Sequence, residues 1–316
     1  MLPALVGPTA VGKTALSLEV AERIGAEIIS MDSRQVYCGL DIGTAKTDAE
    51  GRARIPHHGL DMIDPADSYS GVQFARDARV WVSEIEGRGR VPLIVGGTGF
   101  FLRALMDPVF QEPPADPARR VQLRRWLSTH SAGELARWVR VLDPCRAEMA
   151  EAGGPQRLSR SVEVPLLTGR PLSWWHKEGT LEAEPVDVGV VLVERSREDL
   201  YERINERSRQ MFKQGLLEEV ECLLRSGCSI DAPGLTGVGY REAAAVVSGD
   251  IVEADAVERV MRATRGYARR QLTWFRNQIP VPALRIDASR PLIEQARSVV
   301  EWWDGIGQKP GGVRKA

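Results

Sequence analysis

Short apolar runs alternate with amphipathic stretches through the first third of the chain. Leu2 to Val6, Glu27 to Met31 and Val91 to Val95 have strand length, and between them Lys13 to Ile24 and Ser70 to Glu86 carry apolar residues at helical spacing. That alternation predicts a parallel α/β sheet. A Pro-rich break at Pro113-Pro114-Ala115-Asp116-Pro117 interrupts it. Beyond the break the chain reads as helical, including Arg119 to Ser128 and Ala132 to Leu142, with no convincing strand. Sheet character returns at the β-branched run Val186 to Val193. Helical patterns then cover Ser196 to Arg225, Tyr240 to Val247 and Ala256 to Gln278, with a strand at Ala283 to Ile286 and a last helix to Trp303. The reading gives a discontinuous core (1–112 and 185–304), an inserted helical domain (113–184) and a Gly-, Pro- and Lys/Arg-rich tail (305–316) expected to be disordered.

At 316 residues the chain has room for one large domain carrying a smaller one. A formal charge of -1 excludes a global polybasic field, so a nucleic-acid surface would have to be a local patch of arginines. Cys38, Cys145, Cys222 and Cys228 form no CxxC pair and the four histidines show no ligand spacing, which argues against structural zinc or a disulfide framework. Neither a membrane-length apolar run nor a signal-peptide pattern is visible, so a cytoplasmic protein is expected, with a monomer as the default.

Gly7-Pro8-Thr9-Ala10-Val11-Gly12-Lys13-Thr14 matches G-x-x-x-x-G-K-[ST] and lies between an apolar strand and a helix, where a phosphate-binding loop has to lie. The glycines let backbone N–H groups turn towards phosphate oxygens, the helix N-terminus adds positive potential, Lys13 supplies a point charge and Thr14 can hold Mg²⁺. The expected fold class is therefore α/β, a P-loop NTPase-like parallel-sheet core with the inserted helical domain. The usual hydrolytic partner is missing, because Val91 to Val95 leads into Gly96-Gly97-Thr98-Gly99, with no Asp for metal or water. A carboxylate does follow the other strand, where Asp32 arrives at the carboxyl end of the sheet, and Asp32 is the catalytic candidate. A helix-cap or turn aspartate is the competing reading.

The stretch Asp32-Ser33-Arg34-Gln35-Val36-Tyr37-Cys38-Gly39-Leu40-Asp41-Ile42-Gly43-Thr44-Ala45-Lys46 closely resembles the signature of tRNA dimethylallyltransferases, also called tRNA isopentenyl-diphosphate transferases. Pro56-His57-His58, Gly96 to Gly99, Gln156-Arg157-Leu158-Ser159-Arg160 and Gly237-Val238-Gly239-Tyr240-Arg241-Glu242 resemble later blocks of that family in order and spacing. The likeness spans nearly the whole chain. It implies that the phosphate loop, Thr9 to Thr14, holds dimethylallyl diphosphate with Mg²⁺, and that Arg203 and Arg207 belong to the diphosphate site. It also implies that Asp32 is the general base for an adenine N6 amine, that Asp32, Ser33, Arg34, Gln35 and Thr98 contact the flipped-out nucleotide, and that Arg120, Gln156 to Arg160 and Gly237 to Glu242 face the anticodon stem-loop of tRNA. Departures are small: Thr47 stands where Pro is common, Phe101 where Tyr is common, and Gly59 follows the His pair. The zinc-finger tail of nuclear and mitochondrial members is absent, so a bacterial-type member is expected.

The chemistry can be read without the resemblance. Arg207 projects with Leu200, Ile204 and Met211 along its helix, and an inward guanidinium needs an anion, either pyrophosphate or a buried Asp or Glu. Arg262, Arg265, Arg269 and Arg276 fall on one arc, and Arg119, Arg120, Arg124 and Arg125 cluster at the start of the insertion. Either group could clamp RNA phosphates or be a solvated face. Trp126, Trp138, Trp174 and Trp175 read as core of the small domain rather than as stacking platforms. Two other functions remain open, a small-molecule P-loop kinase with Asp32 as base and an RNA-binding GTPase-like module, although no guanine-reading motif is visible.

Overall fold

The structure, a computed structural model, describes residues 1–107, 109–110, 115–179, 181–279 and 284–307. The chain begins β1 (Leu2–Val6), α1 (Lys13–Ile24), β2 (Ala26–Met31), α2 (Ala49–Arg54), β3 (His57–His58), α3 (Gly71–Gly87), β4 (Val91–Gly96) and α4 (Gly99–Met106). It continues through β5 (Val109–Phe110), α5 (Pro117–Leu127), α6 (Ala132–Leu142), α7 (Ala147–Ala152), α8 (Pro155–Thr168), α9 (Leu172–Glu178) and β6 (Leu181–Ala183). It then returns by β7 (Val188–Glu194), α10 (Arg197–Lys213), α11 (Leu216–Arg225), α12 (Tyr240–Val247), α13 (Glu253–Gln278), β8 (Leu284–Asp287) and α14 (Leu292–Gly307). Two compact units result: Met1–Asp107 with the chain from Val186 onward, and Pro108–Pro185.

In the larger unit six parallel strands take the order β3-β2-β4-β1-β7-β8. The inner strands are apolar throughout because both faces are covered. Leu5, Ile28, Leu93, Val191 and Val193 face one core with α1 and α10, whereas Val6, Ile29, Met31, Ile94 and Leu192 face another with α3 and α4. A third core, absent from the sequence reading, joins Val36, Tyr37 and Leu40 to Met211, Phe212, Leu216, Val220, Tyr240 and Val260. It forms because the helical stretch from Ser196 to Arg225 is two helices. The chain breaks at Gln214-Gly215, where Gly215 has φ 103°, and α11 then packs on α12. The last helix also reaches Gly307, which takes residues 305–307 out of the expected tail; the rest of that tail lies outside the described residues. No helix among the described residues is long and apolar enough to cross a membrane.

The smaller unit packs α5 to α8 around Leu127, Leu135, Val139, Leu158 and Val162. It also contains an antiparallel pair, β5 with β6, where no strand was expected; two- and three-residue strands leave too short a pattern to read. Trp138 packs against this core, partly buried, as expected, whereas Trp126 is 47% exposed and stacks on Trp138 with ring centroids 5.2 Å apart; the fully buried interior is aliphatic.

Candidate functional site: a phosphate loop facing a carboxylate

In a parallel sheet the loops that leave the carboxyl ends of the strands gather at one edge, and three of them build the site. Behind β1, Gly7 approaches the neighbouring strand so closely that a Cβ there would lie 2.6 Å from the Val193 carbonyl oxygen. Gly12 opens α1 at φ 113°, with no side-chain cap on the first amides. Those amides stay available to an anion, and the helix N-terminus favours one. Lys13 lies under the loop, its Nζ donating to the carbonyls of Gly7 at 2.9 Å and Pro8 at 2.7 Å. Burial lowers its pKa from 10.5 to about 8, with Asp32 opposing the shift and Arg207 adding to it. Arg203 Nε donates to the Ala10 carbonyl at 3.0 Å, so it braces the loop from α10.

Asp32 follows β2. One carboxylate oxygen accepts the Arg34 amide at 2.8 Å, which fixes the turn, and the group remains part-exposed on a cavity of about 320 Å³. Arg207 lines the same cavity. It makes no hydrogen bond or ion pair to a described residue, burial pushes its pKa down, and only the charge of Asp32 counters that shift. Of the two partners open in sequence, a buried Asp or Glu pair is therefore not what the structure contains. A part-buried guanidinium with no hydrogen-bonded partner of its own, facing a cavity, is suited to receive an anion.

Behind β4, Thr98 precedes α4 without capping it through its side chain, and its Oγ1 accepts the Ser33 amide at 3.2 Å. Tyr267 on α13 also reaches Thr98, and burial first, then the nearby Asp32 charge, pushes the Tyr267 hydroxyl up to about 12. It lines the cavity wall. Sequence reasoning missed Tyr267, Arg270 and Gln271, since α13 lies far along the chain from the loops it supports. Gln271, 7% exposed among Ala268 and Phe275, accepts the Thr9 amide at 2.9 Å and donates to the Gly97 carbonyl at 2.8 Å. The signal was a lone amide on an apolar helix face. Gln271→Ala strands both backbone groups, each unmet group costing about 1–3 kcal/mol. Chemical denaturation is expected to show a loss of about 2 kcal/mol, and a change below about 0.5 kcal/mol, an ordinary surface effect, would contradict the bridging role.

The other expected contacts divide. Arg34 donates to the Pro233 carbonyl at 2.7 Å and Thr236 Oγ1 at 3.1 Å, which ties the β2 turn to the 237–242 segment beside the cavity. Gln35 is a strut, its amide engaged by Ser30 Oγ at 2.8 Å and the Thr44 carbonyl at 3.2 Å. Of residues 237–242, Val238 and Arg241 are exposed, Glu242 accepts the Gly239 amide at 2.8 Å, and Tyr240 is 1% exposed with its hydroxyl donating to Glu219 at 2.5 Å. In the smaller unit Gln156 and Arg157 are exposed, but Leu158 is core, because one face of α8 has to pack. Arg120, Arg124 and Arg160 turn to the buried Glu163, with Arg124 Nε at 2.6 Å and Arg120 Nε at 3.5 Å, so these guanidiniums are not a free clamp. On α13, Arg262, Arg269 and Arg276 are exposed, while Arg265 turns to Asn205 and the Tyr201 ring.

A parallel sheet, a glycine loop gripping its own lysine, and a carboxylate and an arginine lining one cavity give the chain a P-loop-type core with a built site at the carboxyl ends of its strands. The IPP transferase family model matches residues 35–278, and the isopentenyl transferase model matches residues 1–55. The chain belongs to the IPP transferase family. It is 41% identical over 298 residues to the tRNA dimethylallyltransferase of Halorhodospira halophila (94% of this chain, 96% of that one), and 39% identical over 279 residues to the enzyme of the same name from Geobacter sulfurreducens (88% and 89%). The crystal structure of the tRNA isopentenylpyrophosphate transferase from Bacillus halodurans superposes with a TM-score of 0.70 at 34% identity, covering 96% of this chain and 95% of that one.

Proposed function

We propose that this chain transfers a dimethylallyl group from dimethylallyl diphosphate to N6 of the adenosine 3' of the anticodon in tRNA, giving N6-isopentenyladenosine and diphosphate. The observation that carries the reading is that Asp32 and Arg207 line one cavity together with Arg34 and Gly237–Val238, while the buried Lys13 amine lies within the electrostatic reach of both. The names of the relatives support the same substrate class.

In this reading the α1 amides, Lys13 and Arg207 take the diphosphate and meet the charge that develops as it departs. The N6 lone pair forms the new bond to C1, the C1–O bond breaks with its electrons leaving on diphosphate, and Asp32 accepts the N6 proton. Thr98, Tyr267 and the Ser33-Arg34 turn hold the base, which has to leave its stack to reach the cavity. The residues present fit a phosphate-borne Mg²⁺. Thr14 offers a hydroxyl at the loop, and among the described residues no group of three His, Cys, Asp or Glu could form a separate protein cage. When bound, the ion would offset diphosphate charge. The enzyme would act in the cytoplasm, where its tRNA is, as a single chain that supplies every residue named here.

Two measurements test the reading. Dimethylallyl diphosphate labelled in the prenyl group should put label into unmodified tRNA, whereas γ-labelled ATP should put none. Label from ATP alone would favour the kinase. Because burial sets the Lys13 pKa at about 8 in the free protein, pyrophosphate affinity should be full below that pH and fall as pH rises through it, since the anion binds the protonated amine. Any slope shared with Lys13→Met belongs to pyrophosphate itself. Calorimetric pH profiles that coincide for the two proteins would contradict this role for Lys13.

A further inference from the structure

Apart from the phosphate loop, α10 and α13, the cavity is lined by three separate stretches of chain: residues 32–34, residues 43–44, and residues 236–238 with Tyr240. Side chains tie these stretches in pairs. Arg34 joins the first to the third through the Pro233 carbonyl and Thr236 Oγ1. Gln35 joins the first to the second through the Thr44 carbonyl at 3.2 Å. The remaining tie, from the second stretch to Tyr240, is made by a residue that does not line the cavity, Glu219 on α11. Its carboxylate accepts the amides of Asp41 at 2.9 Å, Ile42 at 2.8 Å and Gly43 at 3.3 Å, and the Tyr240 hydroxyl at 2.5 Å. A carboxylate has roughly four lone-pair sites, and these donors fill them. The loop also sits directly on the tyrosine, since a Cβ on Gly43 would lie 2.5 Å from its ring. Lys46 fastens the far end of the loop separately, reaching the Tyr37 carbonyl at 2.7 Å and Asp41 at 2.8 Å. The loop therefore keeps its shape through Lys46 and takes its placement against Tyr240 from Glu219.

We propose that Glu219 is a positioning residue for the acceptor nucleotide: it keeps residues 43–44 and Tyr240 in register with the Ser33-Arg34 turn, so that the three stretches present one preorganised surface to the base. The proposal rests on the transfer reading above. Glu219 takes part in no bond of the reaction and acts only through the 41–43 backbone and Tyr240. Placement matters because the base arrives unstacked and must set N6 against Asp32, and a misplacement of about 1 Å can cost about 10²-fold. The donor side is fastened independently. Lys13, Arg203 and Gln271 hold the phosphate loop, and none of those contacts involves Glu219 or Tyr240. Loosening Glu219 should therefore tell on the acceptor and spare the diphosphate.

The test uses the full chain, an unmodified anticodon stem-loop as the varied substrate and saturating dimethylallyl diphosphate, with pyrophosphate affinity measured beside it. Glu219→Gln keeps the side-chain shape but sets an NH₂ where an oxygen met the Gly43 amide and the Tyr240 hydroxyl. It should lower kcat/KM for the stem-loop by about 10- to 100-fold, chiefly through KM, with pyrophosphate affinity unchanged. Glu218→Gln removes the same charge from the same first turn of α11 and should change neither quantity, which separates the contacts from the helix dipole. Tyr240→Phe deletes one of the donors and should raise the stem-loop KM by a smaller factor; in the Glu219→Gln protein it should add nothing, because the hydroxyl has already lost its partner. If Glu219→Gln does not fold, Tyr240→Phe alone decides. A stem-loop KM unmoved in the folded variants, a loss shared equally with pyrophosphate, or a Tyr240→Phe effect that persists in full without Glu219 overturns the proposal while leaving the transfer reading intact. If the natural protein puts no prenyl group on the stem-loop, the transfer reading itself fails.

Discussion

Asp32→Asn is expected to lower the single-turnover rate of transfer by about 10²- to 10⁴-fold, the range in which a positioned base contributes. The amide can still accept the Arg34 N–H that Asp32 accepts at 2.8 Å, so the turn after β2 should survive. Charge gives the test its second arm. Asp32 raises the Lys13 pKa and opposes the downward shift of Arg207, so it sits within the field of both cations. Removing its negative charge should make pyrophosphate bind more tightly even as transfer collapses. Loss of both rate and pyrophosphate affinity would indicate a damaged site rather than a missing base.

Arg207→Ala is expected to cost about 10²- to 10³-fold in the rate of transfer, as loss of one preorganised charge-stabilising donor does elsewhere. The tRNA dissociation constant should change only a few-fold, because Arg207 meets charge on the leaving group rather than on the acceptor. Arg207→Lys should recover part of the rate, since an ammonium keeps the charge but not the planar fork. Single-turnover kinetics beside a tRNA binding titration separates the two quantities, and equal losses in both would contradict the assignment.

The parts of this site that are local in sequence were legible. The phosphate loop is one unbroken motif, Asp32 directly follows an apolar strand, and Arg207 declares itself by sharing a helix face with Leu200, Ile204 and Met211. The inner strands were legible too, since burial on both faces leaves continuous apolar runs. What could not be read depends on distant pairing. Gln271 joins Thr9 to Gly97 across 262 and 174 positions, and no local pattern encodes such a bridge. The third core stayed hidden because a single glycine, Gly215, divides one helical pattern in two. The clustered arginines have a partner that spacing alone does not show, for a related reason. A buried carboxylate, Glu163 between the core residues Val162 and Val164, gathers Arg120, Arg124 and Arg160, and a lone acid in an apolar run was the clue.

One measurement bears most directly on the claim that a single cavity holds both the allylic diphosphate and the acceptor amine. Unmodified anticodon stem-loop is incubated with dimethylallyl diphosphate and the full chain, the RNA is digested to nucleosides, and prenylated adenosine is counted against diphosphate released. One N6-prenyladenosine per diphosphate is the predicted result. Diphosphate released with no prenyl group on the RNA, or prenyl found on an atom other than N6, would contradict the account.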